Sequence, residues 1–283
     1  MNENNLKALK NQVMYTGFGE TLAFQIQDNV EKNKPEFQIK YSHEFGRDKV
    51  DAILNFKQSE QGNYFFNSYD LSVSKDGQLS PIQNFRVNRP EKVVHKLEGA
   101  EDKIEYVNST ITLKEAYNMM EGRSVLKDFV NQQSEKYAKW LILDFKNTDD
   151  KGNFTIRKLP EYDLESQLAV MPIKELLNSE SKEQLIESLQ KGNRQTITIL
   201  KGDTELRWSV EANALFKAVK FYDGNAQQQV VRQKESSGQS EKQDTEKQNQ
   251  KQDKGEDAPR NTTKRSARQS NGKSTRKRNS IKQ

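Results

Sequence analysis

Two histidines, His43 and His95, are the side chains best suited to exchange a proton near neutral pH. No HxH or HxxxH spacing joins them, so a shared metal is not indicated. His43 lies in a strand-like run beside Tyr41 and Phe45, and His95 in a charged stretch; structural or surface roles are expected for both. Asp144-Phe145-Lys146 has the D-x-K form that a metal-dependent nuclease strand uses, but such a site needs further carboxylates converging on it. The related segment Asn55-Phe56-Lys57 lacks the acid, which predicts solvated edge residues here. Phosphate-cradling glycine loops and a G-x-S-x-G elbow are absent. Gly17-Phe18-Gly19 stands before a helical pattern, where backbone N–H groups could meet an anion; the expectation is that it lets the chain turn closely against a sheet. With no cysteine there is no disulfide, thiolate nucleophile or Cys-bound metal. No catalytic residue, metal site or cofactor is expected, and the protein is read as a non-enzyme.

Strand aromatics offer a different chemistry, since exposed rings stack on the bases of single strands. Tyr64, Phe65, Phe66 and Tyr69 cluster, and Phe154 and Tyr162 hold similar places further on. Phe65 and Phe66 must face opposite sides of a strand. Core packing is the expected use of this set.

Charge is the clearest partner signal. From residue 258 onward there are nine basic residues (Arg260, Lys264, Arg265, Arg268, Lys273, Arg276, Lys277, Arg278 and Lys282) and no acid. Taking these from the 46 basic residues of the chain leaves 37 against 41 acidic, a net of −4. The basic pI of 9.0 therefore belongs to the tail. Residues 224–283 hold no aromatic, and their aliphatics larger than alanine are Val230, Val231 and Ile281. So little apolar surface does not offset an ordering entropy of ~1–2 kcal/mol per residue, and disorder is expected. The mixed-sign, Gln-rich residues 234–257 are read as a spacer. About 60 flexible residues have an r.m.s. span of roughly 45 Å. The nine cations are expected to contact nucleic acid through its phosphates.

The elements that must carry these groups lie in residues 1–223. Phe18, Leu22, Ile26 and Val30 predict a helix over 18–33. Alternating runs through Phe37–Tyr41, Val50–Phe56 and Tyr64–Tyr69 predict a three-stranded meander. Residues 74–108 are read as a partly ordered connection. Thr112-Leu-Lys-Glu115 is a capping box, and Leu113, Ala116, Tyr117 and Met120 give the helix its stripe up to Gly122. Strands are expected at 123–130, 137–146 and 153–159, with short helices near 163–169 and 172–177. A third helix is expected near 182–191, opened by Ser181-Lys-Glu-Gln184 and stopped by Gly192. Strands at 195–200 and 204–210 and a run ending at Phe221-Tyr222 follow.

Leu54-Asn-Phe-Lys-Gln-Ser-Glu-Gln-Gly-Asn-Tyr64 is similar to Leu143-Asp-Phe-Lys-Asn-Thr-Asp-Asp-Lys-Gly-Asn-Phe154, with one extra residue expected in the second loop. Tyr-Asp-Leu follows both, and Tyr222-Asp223 follows the third helix and its strands. Hairpin chemistry explains the shared residues: Gly-Asn supplies the turn, and Leu and Phe face the core. Each sheet face would need a helix to cover it.

Tyr15-Thr-Gly-Phe-Gly-Glu20, Thr112-Leu-Lys-Glu-Ala-Tyr-Asn-Met-Met-Glu-Gly-Arg123 and Trp140-Leu-Ile-Leu-Asp-Phe145 resemble an uncharacterised family carried by conjugative elements of Bacteroidetes-type bacteria. Pro172-Ile-Lys-Glu-Leu176 and Leu189-Gln-Lys-Gly-Asn193 belong to the same pattern, over roughly residues 14–223. The resemblance implies a role in a mobile element's DNA transfer or maintenance and carries over no catalytic residue.

The expected fold class is α+β, with repeated helix-plus-antiparallel-meander units (two clear, a third weaker) followed by a disordered basic tail. The expected division is 1–110 for the first unit and its connection, 111–223 for the second and third, and 224–283 for the tail. The expected function is that of a non-catalytic accessory protein of a mobile genetic element. Its body would bind a protein partner and its tail nucleic acid; the alternative is a protein–protein adaptor with no nucleic-acid role. No signal peptide or spanning helix is apparent, so no membrane contact and a cytoplasmic location are expected.

Overall fold

Residues 2–96 and 102–229 are described by the structure, a computed structural model. The chain opens with α1 (Glu3–Val13), a π-helical turn at Met14–Phe18, and α2 (Ala23–Glu31). A meander follows: β1 (Glu36–Phe45), β2 (Asp48–Gln58) and β3 (Tyr64–Lys75). Two short strands, β4 (Gln78–Leu79) and β5 (Gln83–Arg86), both pair with β3 and complete a five-stranded sheet. β6 (Glu91–His95) and β7 (Lys103–Val107) form a separate hairpin. Next come α3 (Leu113–Met120) and the three-stranded sheet of β8 (Val125–Val130), β9 (Lys136–Thr148) and β10 (Phe154–Leu159). After α4 (Leu164–Leu168), a 3-10 turn at Lys174–Leu177 and α5 (Ser179–Gln190), the last sheet joins β11 (Gln195–Lys201), β12 (Thr204–Asn213), β13 (Ala218–Tyr222) and β14 (Gln228–Gln229). The fold is α+β, with every sheet antiparallel.

Three helix-plus-meander units are present, built on one joint. In each, the first strand starts five residues after the last residue of the helix: Glu31 to Glu36, Met120 to Val125, Gln190 to Gln195. Asn33, Gly122 and Gly192 take left-handed φ of 49°, 76° and 77° there. The next N–H then returns to a carbonyl of the last turn, as Arg123 does to Asn118 at 3.0 Å and Asn193 to Ser188 at 3.1 Å. This satisfies carbonyls that a helix end leaves unpaired.

Hairpin loops repeat as closely. Ser59–Asn63, Asn131–Glu135, Asp149–Asn153 and Asp223–Gln227 each pair the first N–H with the fifth carbonyl and the fourth N–H with the first carbonyl. Their fourth residues, Gly62, Ser134, Gly152 and Ala226, all have positive φ, between 59° and 83°. The loops of the first two units are thus equal in length, and the extra residue expected in the second loop sits in β9 instead. The β9–β10 ladder slips between Phe154, opposite Thr148, and Thr155, opposite Asp144. The Asp144 carboxylate holds this bulge by accepting from Lys146 N at 3.1 Å and Asn147 Nδ2 at 2.8 Å.

Two hydrophobic clusters form the interior, and they do not follow the units. The first joins α1, α2 and the inner face of the first sheet to Leu113, Ala116 and Met119 of α3 and to Val125, Leu141 and Leu143. Phe18 is at its centre, fully buried, with Tyr41, Phe66 and Tyr69 edge-on at 5.3, 6.0 and 5.1 Å. Burying such a ring stabilises the fold by roughly 1.5–3 kcal/mol. The second cluster joins Trp140 to α4, α5 and the last sheet. Trp140 and Leu141 thus send adjacent side chains of β9 into different cores, and the middle sheet packs on both faces.

Several expectations change. One helix over 18–33 becomes α2 preceded by a turn, because Gly17 and Gly19 at φ 99° and 71° break the backbone. Residues 3–13 form a further helix that buries Leu6, Leu9 and Val13. The stretch 74–108 contributes β4 to β7 rather than a connection alone. α5 is capped by Asn178, whose side chain accepts from Ser181 N at 3.1 Å, not by a box at Ser181. Residues 224–229, read as the start of the tail, make a turn and β14, held by the Asp223 carboxylate at Asn225 N, Gln227 N and Gln229 Nε2. The rest of that stretch lies outside the described residues.

Candidate binding groove

Side-chain amides take strand edges at equivalent places in the first two units. In the first, Asn5 of α1 accepts from Tyr64 N at 2.8 Å and donates to Tyr64 O at 3.0 Å. In the second, Gln83 of β5 accepts from Phe154 N at 2.7 Å and donates to Phe154 O at 3.4 Å. Tyr64 and Phe154 each directly follow a five-residue loop, where the pleat turns N–H and C=O away from the neighbouring strand. Gln83 is 2% exposed and Phe154 is half-buried, so this pairing is largely shielded from water.

Beside the Gln83 contact lies a groove of about 1170 Å³ between β3 and β5 on one side and β9 and β10 on the other. A chain of polar side chains runs into it across the outer face of the first sheet. Gln38 donates to Asn55 at 2.7 Å, Asn55 to Asp70 at 2.9 Å, and Asn84 to the other Asp70 oxygen at 2.7 Å. Asn84 N continues the chain to Asn153 Oδ1 at 2.8 Å. Both carboxylates that line the groove are thereby engaged: Asp70 by two amides, and Asp149 by the loop it closes. The Asn153 side chain and backbone N–H hold Asp149 below the usual carboxylate range. Arg86, Lys151 and Lys158 bring cations to the lining and make no ion pair among the described residues. Lys158 Nζ lies 3.9 Å from the centre of the Phe129 ring, which stacks with Tyr137 at 5.7 Å. The lining therefore offers positive charge, amides and apolar patches at Ile82 and Ile156.

Residues singled out for chemistry are scattered. His43 is exposed between Tyr41 and Phe45 on β1. His95 is on β6, 3.0 Å from Glu105, which Lys136 also engages. Asp144 is kept below the usual carboxylate range by Asn147 and the Lys146 N–H. Among the described residues no three His, Cys, Asp or Glu side chains converge as a metal would need. Phe66 and Tyr69 are core, whereas Phe65 faces outward beneath the Arg89 guanidinium, 4.4 Å from its ring centre. Phe154 packs edge-on against Phe145 at 4.9 Å. Tyr162 stacks on Trp140 and donates its hydroxyl to Ala218 O. Arg260, Lys264, Arg265, Arg268, Lys273, Arg276, Lys277, Arg278 and Lys282 lie outside the described residues. Gln83, Asn84 and Arg86, which β5 brings to the groove, carry no sequence motif.

Several of the motifs behind the family resemblance meet one another in the fold. Gly17 lies against Thr112 and Leu113; a Cβ on it would be 3.4 Å from that of Leu113. Asn118 donates to Lys191 O at 2.7 Å, and Arg123 to Gly192 O at 2.9 Å. Their residues mark helix junctions. No family model, curated protein or solved structure matches the chain. Among the described residues no helix is long and apolar enough to cross a membrane.

Proposed function

We propose that this protein is a non-catalytic accessory factor of a mobile genetic element, cytoplasmic, that holds nucleic acid through its basic tail and a protein partner through its α+β body. The observation that carries this reading is the partition of charge: nine cations without an acid after residue 258, against a net of −4 for the remainder. The resemblance of residues 14–223 to proteins of conjugative elements supports the setting. The non-catalytic reading is supported by the occupations of the titratable groups, since Asp144 secures a bulge, Asp149 a loop and Glu115 a helix cap. A protein partner is favoured by the groove, which joins a strand edge to cations that make no ion pair among the described residues.

Binding to labelled single- and double-stranded DNA, measured by anisotropy from low to high salt, tests the tail. Affinity should fall steeply with salt and vanish on deletion of 258–283. Equal binding by the shortened protein would refute it and favour the adaptor that never touches nucleic acid.

A further inference from the structure

The three meanders end differently, and the difference points to a site. In the first unit the outer edge of β3 is covered by β5, with Ser68 opposite Arg86 and Leu71 opposite Gln83. In the third, the outer edge of β13 is covered by β14, with Phe221 opposite Gln229. In the second, among the described residues, β10 pairs with β9 alone and its sheet stops at three strands. Gln83 takes the N–H and C=O of Phe154 at the start of that edge. By the pleat, Ile156 and Lys158 turn their N–H and C=O groups to the same side as Phe154. No strand or side chain among the described residues takes them. The groove of about 1170 Å³ runs beside this edge and is lined by both residues.

We infer that β10 accepts an extended segment of a partner protein as a fourth strand, laid in the groove and paired to the backbone of Ile156 and Lys158. An open row of N–H and C=O groups is a template for another strand, and main-chain bonds supply affinity in such additions. The groove sets the partner's chemistry. Arg86, Lys151 and Lys158 make no ion pair among the described residues, while Asp70 and Asp149 are already engaged. The segment is therefore acidic, with small apolar side chains on alternate positions for Ile82 and Ile156. A nucleic-acid strand would satisfy the cations but not the alternating donors and acceptors of the edge. This inference rests on the body binding a protein, and it specifies where and how.

Immobilised full-length protein is panned with a random heptapeptide display library, and the enriched sequences are made with a fluorescein label. The expected winners alternate acidic and β-branched residues. N-methylation of alternate peptide amides, which removes strand pairing without touching the protein, should weaken binding at least tenfold. So should Arg86→Glu with Lys158→Glu, whereas Arg89→Glu, outside this groove, should leave it unchanged. Ile156→Pro adds a backbone test if the variant keeps its melting temperature, and the N-methylated peptide decides the matter if it does not. Enrichment of basic sequences, equal binding by the N-methylated peptide, or displacement by a twelve-residue oligothymidylate would overturn the inference. Peptides that bind but ignore both changes would discard this edge while leaving a protein-binding body in place. No enrichment at all would discard the edge, and the tail would still be judged by its own salt and deletion experiment.

Discussion

Gln83 grips the main chain of Phe154 at both its N–H, 2.7 Å away, and its C=O, 3.4 Å away, so that a side chain of one sheet stands in for a strand of the next. Asn5 does the same for Tyr64 at the matching point of the first unit. Neither side chain can be replaced by an apolar one without leaving a backbone pair unsatisfied.

Gln83→Ala should lower unfolding stability by about 1–3 kcal/mol, the cost of stranding a buried donor. Asn5→Ala should cost less, because Asn5 is only half-buried where Gln83 is buried. Urea titration of the two variants checks the order, and equal losses would count against it.

Gly192 and Gly122 share a backbone conformation but not their surroundings. A Cβ at Gly192 would come within 2.9 Å of Ser124 O and of Val125 Cγ2, while at Gly122 the nearest contact is 3.8 Å. Gly122→Ala should cost roughly 1–2 kcal/mol, from the left-handed backbone alone. Gly192→Ala should cost clearly more, read from the gap between their denaturation midpoints.

Two of the four matching loops carry a side chain where the backbone is left-handed, Ser134 at φ 60° and Ala226 at φ 59°. Glycine suits that position at no steric cost. Ser134→Gly and Ala226→Gly should each raise stability by up to about 1 kcal/mol, after the entropy glycine adds to the unfolded chain. Unchanged or lower melting temperatures would show that these loops are not strained.

Half-buried Lys127 pairs with the buried Glu115 at 3.0 Å, and the same carboxylate accepts from Thr112 N at 2.8 Å. Lys127→Met should cost roughly 1.5–3 kcal/mol, since the buried carboxylate then keeps only its bonds from Thr112. Adding Glu115→Gln should recover part of the loss, and a double-mutant cycle measures how much.

Alkaline pH offers a separate test. Burial, aided by the hydrogen bond to Asp48, pushes the Tyr117 phenol up to about 12. Burial, aided by Glu211, does the same for Tyr222. In the unfolded chain these groups ionise near 10. The folded state therefore holds their protons longer, so this contribution is complete below pH 10 and is lost as pH rises from 10 to 12. Tyr117→Phe should flatten the decline in melting temperature across that window, and phenolate absorbance should show the group titrating late.

Local signals in the sequence located much of the architecture. Thr112 and Glu115 form their box, and Gly122 and Gly192 stop their helices. The repeated Leu-x-Phe-Lys segments do mark matching hairpins, because turn chemistry is written in adjacent residues. α1 carried a readable stripe at Leu6, Leu9 and Val13, but its Asn and Lys content masked it. β5 and the β6–β7 hairpin were hidden by their shortness. The groove was not legible at all. The Gln83 amide gains its meaning from a backbone 71 positions away, and no local pattern encodes that distance.

The two-sided middle sheet bears on how the chain is made. The first core runs from Leu6 to Leu143, so it cannot close until β9 has left the ribosome. The same strand brings out Trp140, whose partners Leu185, Ile197 and Phe221 are synthesised later still. Through that interval the indole face of β9 has nothing to pack against, so the last sheet must be made before the middle one is covered on both sides.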